Sequence, residues 1–590
     1  MDYRNLSELE IGLLECQGNC ADDWQAVRVA DPFCVEYIRN NTFEGAVSIG
    51  TVDNARRTDG ALSLREGIYN SLLRDTTVGN HPAIHNVHML SGYTLGDNVL
   101  LFNIDEMTHD SDKRAWLEPM NENGGRKILP FGGMTIGDAY MWARYRGHKT
   151  FTEKLERFSS DIALSREGIC GHIGDNCVIK NTRSLHNISV RSSADDPSRI
   201  DSCITLHDGV VGFGCTVEHG VIAERFLLGE HVHLEFGLRL NDTVVGDNST
   251  LARCEVGNSI IFPAHEQHHN NSFLIAGLIM GQSNIAAGGT IGSNHNSRTA
   301  DGELAAGRGF WPGLCCSFKH SSRFASYCLL AKGDYPAELD ITLPFALVNN
   351  NTSKDQLEVM PAYWWMYNMY AMDRNSKKFA KRDKRKFKEQ HIEFDNLAPD
   401  TAEEILHGME LLRNWMDKAD NGVVYGEGME KGNRKTVILK AAEGLKAYED
   451  MLVFYAIKTL GQAPPTTHYP RSTTDWVNIG GQIVAKPDME QLISDVENGT
   501  IGNWQQLHER MDTLWQIYPA QRQAHAYGIL CRLAGVDTLD ERLWKQYQQR
   551  YAAIQNYIEE QKAVSRHKDD INPFRRMTYW DNDEWTAVMK

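Results

Sequence analysis

The chain has 590 residues, of which 42% are hydrophobic and 24% charged, with 13 Trp, 21 Tyr and a formal net charge of −17. That length exceeds one compact core, and the aromatic content excludes disorder. The acidity excludes a general binder of nucleic acid or anionic membrane, so an anionic ligand needs a local basic patch set against the global field. The opening MDYRNLSELEIGLLECQGNC lacks a basic region followed by an apolar core, and nowhere do about 18 apolar residues run together. Neither a signal peptide nor a membrane span is therefore expected. The 12 cysteines are scattered without CxxC pairs, the pattern of buried reduced thiols in a cytoplasmic protein.

In chain order, residues 1–34 read as a helical or irregular lead-in. From 35 to 105 a six-residue beat sets in: Val78, Ile84 and Leu90 are six apart, the beat slips by one, and it resumes at Leu95 and Leu101. Six is a multiple of the strand period of two, so each sixth aliphatic points inward from a short extended segment. Gly-Asp-Asn often follows the aliphatic, as at Gly96-Asp97-Asn98, Gly174-Asp175-Asn176 and Gly246-Asp247-Asn248. Gly and Asn tolerate left-handed backbone angles, so the chain turns a corner there and coils. Residues 106–165 interrupt the beat with DAYMWARYRGHKTFTEKLERFSSDIAL, whose apolar spacing predicts a helical insertion. The beat returns over 166–345, through Ile173, Ile179 and Leu185, then Leu228, Leu234, Leu240, Val245 and Leu251, then Ile279, Ile285 and Ile291. From Leu343 onward Gly and Val thin out and Glu, Lys, Leu, Met and Trp dominate, which predicts helix to the end. Two helical pieces, 346–462 and 476–590, flank a linker at 463–475.

The aliphatic-Gly-Asp-Asn hexads resemble the hexapeptide repeat of left-handed β-helix proteins, in which three hexads make one triangular turn. The resemblance covers about residues 35 to 345, interrupted by the insertion, and is closest to a group of large bacterial hexapeptide-repeat proteins assigned as transferases from their fold. The fold class expected is mainly β plus α: a left-handed parallel β-helix with a helical insertion and a large α-helical C-terminal region. The resemblance implies an acyltransferase that moves acetyl or a similar group from a CoA-type thioester to an amine or hydroxyl. The acceptor implied is a sugar, a nucleotide sugar or another small anionic molecule. It further implies acyl-CoA as co-substrate, no metal, and a homo-oligomer, by habit of the fold a homotrimer. An antiparallel sandwich whose strands share a spacing is the alternative fold.

Two polar clusters stand out against the small residues of the turns. The longer runs through HEQHHNN, GSNHNSR, AGRGFWPG, SFKHSSRF and AKGDYP. Between Ile291 and Tyr335 the cations Arg298, Arg308, Lys319, Arg323 and Lys332 outnumber Asp301, Glu303 and Asp334. With Asn294, Asn296 and His320 they are the expected anion-binding set, Arg as a bidentate fork and Lys as a point charge. Hexapeptide-repeat acyltransferases use a histidine on the coil as base, which by resemblance selects His269 with Asn270 beside it, and then His295. The shorter cluster, His81, His85 and His88, raises a weaker alternative, a zinc site of the carbonic-anhydrase-like kind. Spacings of four and three put His81 and His85 on one face of a strand and His88 on the other, which argues against convergence. Histidine and asparagine also serve simply as turn residues that bond local backbone. In the helical half, LEVMPAYWWMYNMYAM reads as core and KKFAKRDKRKFK as a solvated helix face. No nucleotide-hydrolysis, Rossmann or serine-hydrolase motif is present. A non-catalytic holder of a sugar phosphate or nucleotide is the rival function, and metal-dependent chemistry the second rival.

Overall fold

The computed structural model describes residues 3–110, 115–121, 124–164, 171–292, 302–461, 475–568, 570 and 572–589. Its spine is a parallel β-solenoid whose coils have three faces. On one face Leu185, Leu206, Ala223, Leu240, Val256, Leu274 and Ile291 pair in succession. On another, Ile179, Ile200, Val217, Leu234 and Leu251 do the same. Val245, Ile261, Ile279 and Ala306 stack on the remaining one. Seventeen residues is the commonest spacing between partners, as Val217, Leu234 and Leu251 show, so the one-residue slip in the sequence beat recurs in every such coil. Ile279, Ile285 and Ile291 are all fully buried, one on each successive face.

The Gly-Asp-Asn triplet divides its work differently from the sequence expectation. The asparagine alone takes the left-handed angle, with φ 61° at Asn98, 57° at Asn176 and 55° at Asn248. The glycine is needed for close stacking: a Cβ on Gly96 would lie 2.3 Å from Asp175 Oδ1, and one on Gly246 2.5 Å from the Pro263 nitrogen. The aspartate ties adjacent coils together, Asp175 accepting from the Asp97 amide at 2.8 Å and Asp247 from the Glu230 amide at 3.0 Å.

The insertion leaves after the strand Glu106–Thr108 and returns in register, since Met107 pairs with Leu185 and Leu95 with Ile173. It carries the helices Ile136–Arg144 and Lys149–Ala163. The lead-in has a helix, Glu8–Cys16, but its strand Val27–Ala30 already belongs to the solenoid. Helix does not begin at Leu343 as predicted. Leu347–Asn351 is a last coil strand, and it folds back on Gln356–Met360 before the first helix of this half at Tyr363. The polar TSKD between them is a turn former, which propensity counts over a window miss.

Of the long helices, Pro399–Asp417 meets the solenoid where Glu404 accepts from the Ser326 amide at 2.9 Å, and Ala441–Leu460 where Tyr448 donates to the Pro344 carbonyl at 2.6 Å, while Trp504–Ala534 and Glu541–His567 both pack on Ala441–Leu460. A second core lies outside the coil, where Val210, Leu227, Val244, Ile260 and Leu278 meet the insertion and the start of the Trp504–Ala534 helix. Trp504 is central to it, in contact with Phe131, Trp142 and Phe158, and its indole donates to Ser159 at 3.0 Å. Buried ion pairs complete the docking. Arg308, 2% exposed, grips both oxygens of Asp400 at 2.9 and 2.8 Å and donates to the Asp395 carbonyl at 2.9 Å. Arg308 was expected to hold substrate; every direction of its guanidinium is instead committed to the helical half.

Removing one partner of such a buried pair costs about 3–5 kcal/mol because the other charge is left uncompensated. Arg308→Ala is therefore expected to lower the unfolding midpoint and to open the 399–460 region to limited proteolysis. An unchanged midpoint and digestion pattern would contradict the docking role.

Candidate functional site

Where the second core reaches solvent, a cleft of about 830 Å³ opens between the insertion, the segment 387–391 and the Trp504–Ala534 helix. Asn503 caps that helix, accepting from the Gln506 amide at 2.9 Å. His508, Asp512 and Trp515 then follow at spacings of four and three, which set them on one helix face toward the cleft. Against that face stands Asp138, in the first turn of the Ile136–Arg144 helix. Thr135 and Asp138 form a capping box: the Asp138 amide donates to Thr135 Oγ1 at 3.2 Å and the Thr135 amide to Asp138 Oδ2 at 2.8 Å. The same Oδ2 lies 2.7 Å from His508 Nε2.

A carboxylate only accepts, so Nε2 of His508 carries the proton and Nδ1 is left as the acceptor of the neutral ring. Asp138 is 1% exposed and the His508 side chain 33%. Burial disfavours the imidazolium, but the charge and hydrogen bond of Asp138 outweigh it, and the His508 pKa is raised above its ordinary 6.5. A second imidazole–carboxylate pair sits in the same cleft, His391 Nε2 at 2.7 Å from Asp512 Oδ1. The His391 ring lies flat on Trp515, centroids 5.1 Å apart and planes 5° from parallel, and Trp515 in turn stacks on Tyr518.

The solenoid holds the segment that carries His391. Glu230 accepts the amides of Lys388 and Glu389 at 3.2 and 2.9 Å, and Arg191 forks onto the Glu389 carboxylate. Arg385 donates to Asp247 at 2.5 Å and to the Gln390 carbonyl at 2.6 Å. Gln390 accepts from the Gly137 amide at 2.8 Å and donates to the Ile479 carbonyl at 3.2 Å, so one side chain ties the segment, the insertion and the antiparallel hairpin of Trp476–Ile479 and Gln482–Ala485 together. Burial pushes Asp247 up to about 6 against the pull of Arg385. The basic run KKFAKRDKRKFK, read from sequence as a solvated face, thus spends Lys378, Arg382 and Arg385 on coil carboxylates.

Charged lining groups are Asp138, Glu389, Glu509 and Asp512 against Lys388, with the amides of Gln390, Gln482, Gln505 and Gln516 between. Such a surface suits a neutral polyhydroxylated or amine-bearing ligand better than an anion.

The residues singled out from sequence lie elsewhere. His269 and Asn270 are exposed on a turn, the His269 ring 4.4 Å from that of His268. His295, Asn294, Asn296 and Arg298 fall outside the described residues. Lys319 pairs with Glu338 at 3.1 Å, and Arg323 forks onto Asp340 at 2.8 and 2.7 Å. His320 is 3% exposed with Nε2 2.9 Å from the Ile275 carbonyl, while Lys332 is exposed. The block does not gather into one pocket among the described residues. The three histidines of the shorter cluster also diverge. His81 meets Glu66 at 3.1 Å, His85 meets the Arg65 carbonyl at 2.8 Å and stacks on Tyr69, and His88 faces Asp105 at 3.5 Å. Among the described residues no group of three His, Cys, Asp or Glu has metal-holding geometry.

Asp138, His391, His508 and Asp512 were not expected. A signal existed for the place if not the residues. Val210-Val211, Leu227-Leu228, Val244-Val245, Ile260-Ile261 and Leu278-Ile279 double the aliphatic beat at one face per coil, which marks a face buried on both sides. TIGD, with Thr135 and Asp138 three apart, also has capping-box spacing.

Histidine-selective NMR, with His508→Gln for assignment, is expected to find His508 titrating above 6.5. In Asp138→Asn burial is opposed only by the more distant charges of Glu389 and Asp512, and the value is expected to fall; an unchanged titration would contradict the pairing. Because the folded pKa is raised, the stabilisation from this pair is fully present below the unfolded value and is lost as pH rises through the folded one. His265 runs the other way. It is buried between Ser283 and Gln267, and burial depresses it to about 4. Its contribution is lost as pH falls from 6.5 toward 4, where the unfolded chain takes a proton the fold refuses.

Residues 3–416 match the family described as Domain of unknown function (DUF4954), and residues 464–560 match Domain of unknown function (DUF6819). A protein of Treponema pallidum (strain Nichols), named "Uncharacterized protein", is 41% identical over 651 residues, spanning 100% of this chain and 90% of the relative. Asp138 and His391 lie within the first match and His508 and Asp512 within the second, so the cleft is assembled from both. Matched over more than half its length, the chain belongs to the DUF4954 family.

Proposed function

We propose that the cleft is an active site for proton transfer at an amine or hydroxyl of a small polar molecule, with His508 as base and Asp138 holding its tautomer. The observation that carries this reading is the 2.7 Å His508–Asp138 contact inside the large cleft. A base with a pKa near the working pH combines availability with driving force, and such a group contributes about 10²- to 10⁴-fold to rate. The reaction proposed is acyl transfer from a CoA-type thioester, which the resemblance of the coil hexads supports. Nδ1 takes the acceptor's proton as its oxygen or nitrogen bonds to the thioester carbon. The tetrahedral oxyanion then collapses, the carbon–sulfur bond breaks, and the imidazolium returns the proton to the leaving thiolate. The carboxylates and glutamines favour a neutral sugar or amino sugar over the anionic acceptor inferred from the basic block. A homotrimer and a cytoplasmic setting belong to the same reading, the latter supported by the buried free thiols Cys177, Cys203, Cys215 and Cys328.

The test supplies acetyl-CoA with a panel of amino sugars and neutral sugars and follows free thiol. Release that depends on one acceptor, and that drops about 10²- to 10⁴-fold in His508→Gln with little change in KM, is expected. Full turnover in that variant would sink the assignment. Sugar binding without thiol release, with any donor, would favour the non-catalytic holder.

A further inference from the structure

At one corner of the solenoid each coil is turned by a single residue in the left-handed region. The strand ends before that corner, from Tyr69 through His85, Phe102, Lys180, Asp201, Glu218 and Glu235 to Ala252, pair coil to coil, so the residues that follow them are equivalent. Asn40, Asn70, Asn86, Asn103 and Asn181 turn the earlier coils. Asparagine is at ease at such angles, and here its amides form a ladder, Asn40 donating to Asn70 at 3.1 Å and Asn70 to Asn86 at 3.0 Å. The ladder then gives way to Ser202, His219, Phe236 and Arg253, with φ of 61° at His219, 54° at Phe236 and 56° at Arg253. Bulky side chains in this region are outliers, and an observed outlier is where a functional reason is sought.

These side chains form a surface stack. His219 and Phe236 are 4.9 Å apart and 4° from parallel, and the Arg253 guanidinium lies 4.6 Å from the Phe236 centroid. Phe236 stays 44% exposed, so the stack is not explained by core packing. Beside it is a groove of about 570 Å³ lined by Arg239, Arg253, Glu255, Asn270 and Asn271. Among the described residues neither arginine is in an ion pair, whereas most other arginines near the coil are. The groove thus carries two free guanidinium groups against one carboxylate, on a chain of net charge −17.

We propose that this groove is an oxyanion site, separate from the cleft, that takes a phosphate group of a small molecule. The aromatic stack holds Arg253 in place, so its planar fork is set before a ligand arrives, Arg239 closes on the other side, and the amides of Asn270 and Asn271 supply further donors. Asn270, chosen from sequence as part of a catalytic pair, belongs to this ligand set.

Calorimetric titration with inorganic phosphate, pyrophosphate, a sugar phosphate and a nucleoside diphosphate tests it and separates the sources of the group. Wild-type protein is expected to bind at least one probe, and Arg239→Gln and Arg253→Asn each to weaken it about tenfold or more, the loss of a charge-assisted fork. Arg253→Asn restores the residue the corner uses in earlier coils, so its Tm is expected to hold or rise while binding falls. Absence of binding by every probe at millimolar concentration, or equal binding by both variants, would overturn the proposal. A lowered Tm in Arg253→Asn would overturn it too, because Arg253 would then be structural.

Discussion

The outer side of one solenoid face is apolar, and the cleft exists because of how that side is covered. Val210, Leu227, Val244, Ile260 and Leu278 point away from the coil interior yet are almost fully buried. Leaving them in water forfeits about 1.5–3 kcal/mol for each large side chain, so the insertion and the helical half are drawn onto this face together. Apolar contact is not directional, and the position of the helices is set by polar pins: Arg308 on Asp400, Arg385 on Asp247, Glu230 on two backbone amides, and Trp504 on Ser159. A gap remains where insertion and helices meet at the edge of this core. His508 and Asp138 meet in a direct hydrogen bond on the wall of that gap.

The acidic balance of the chain has a structural use. Carboxylates on the coil wall receive the basic segment 378–391, and the segment in turn delivers Gln390 and His391 to the cleft. Burial works against these charges, as the upward push on Asp247 shows, and is offset by short bonds at fixed positions. The same balance leaves the corner groove with Arg239 and Arg253 as an exception.

The solenoid was legible from the sequence because its signal is periodic and local: the hexads, the slip to five and the Gly-Asp-Asn turns all report a coil that repeats its own environment. The insertion was legible as a break in that beat. The site was not, because Asp138 and His508 are 370 residues apart and neither carries a motif of its own. Residue type misled at Arg308 and His320, whose polarity suggested ligand binding while their burial gives each a structural partner. The doubled aliphatics identify which face is covered and hence where a boundary cleft has to form. Beyond Leu343 a coil strand and its return are hidden in a composition that favours helix.

The central claim is that one acid–base unit is assembled from the insertion and the Trp504–Ala534 helix. A double-mutant cycle of Asp138→Asn and His508→Gln on unfolding stability, repeated across pH, tests it most directly. The account predicts a coupling between the two changes that is present on the acid side and fades as pH rises through the His508 titration. Additive effects of the two changes at every pH would contradict it.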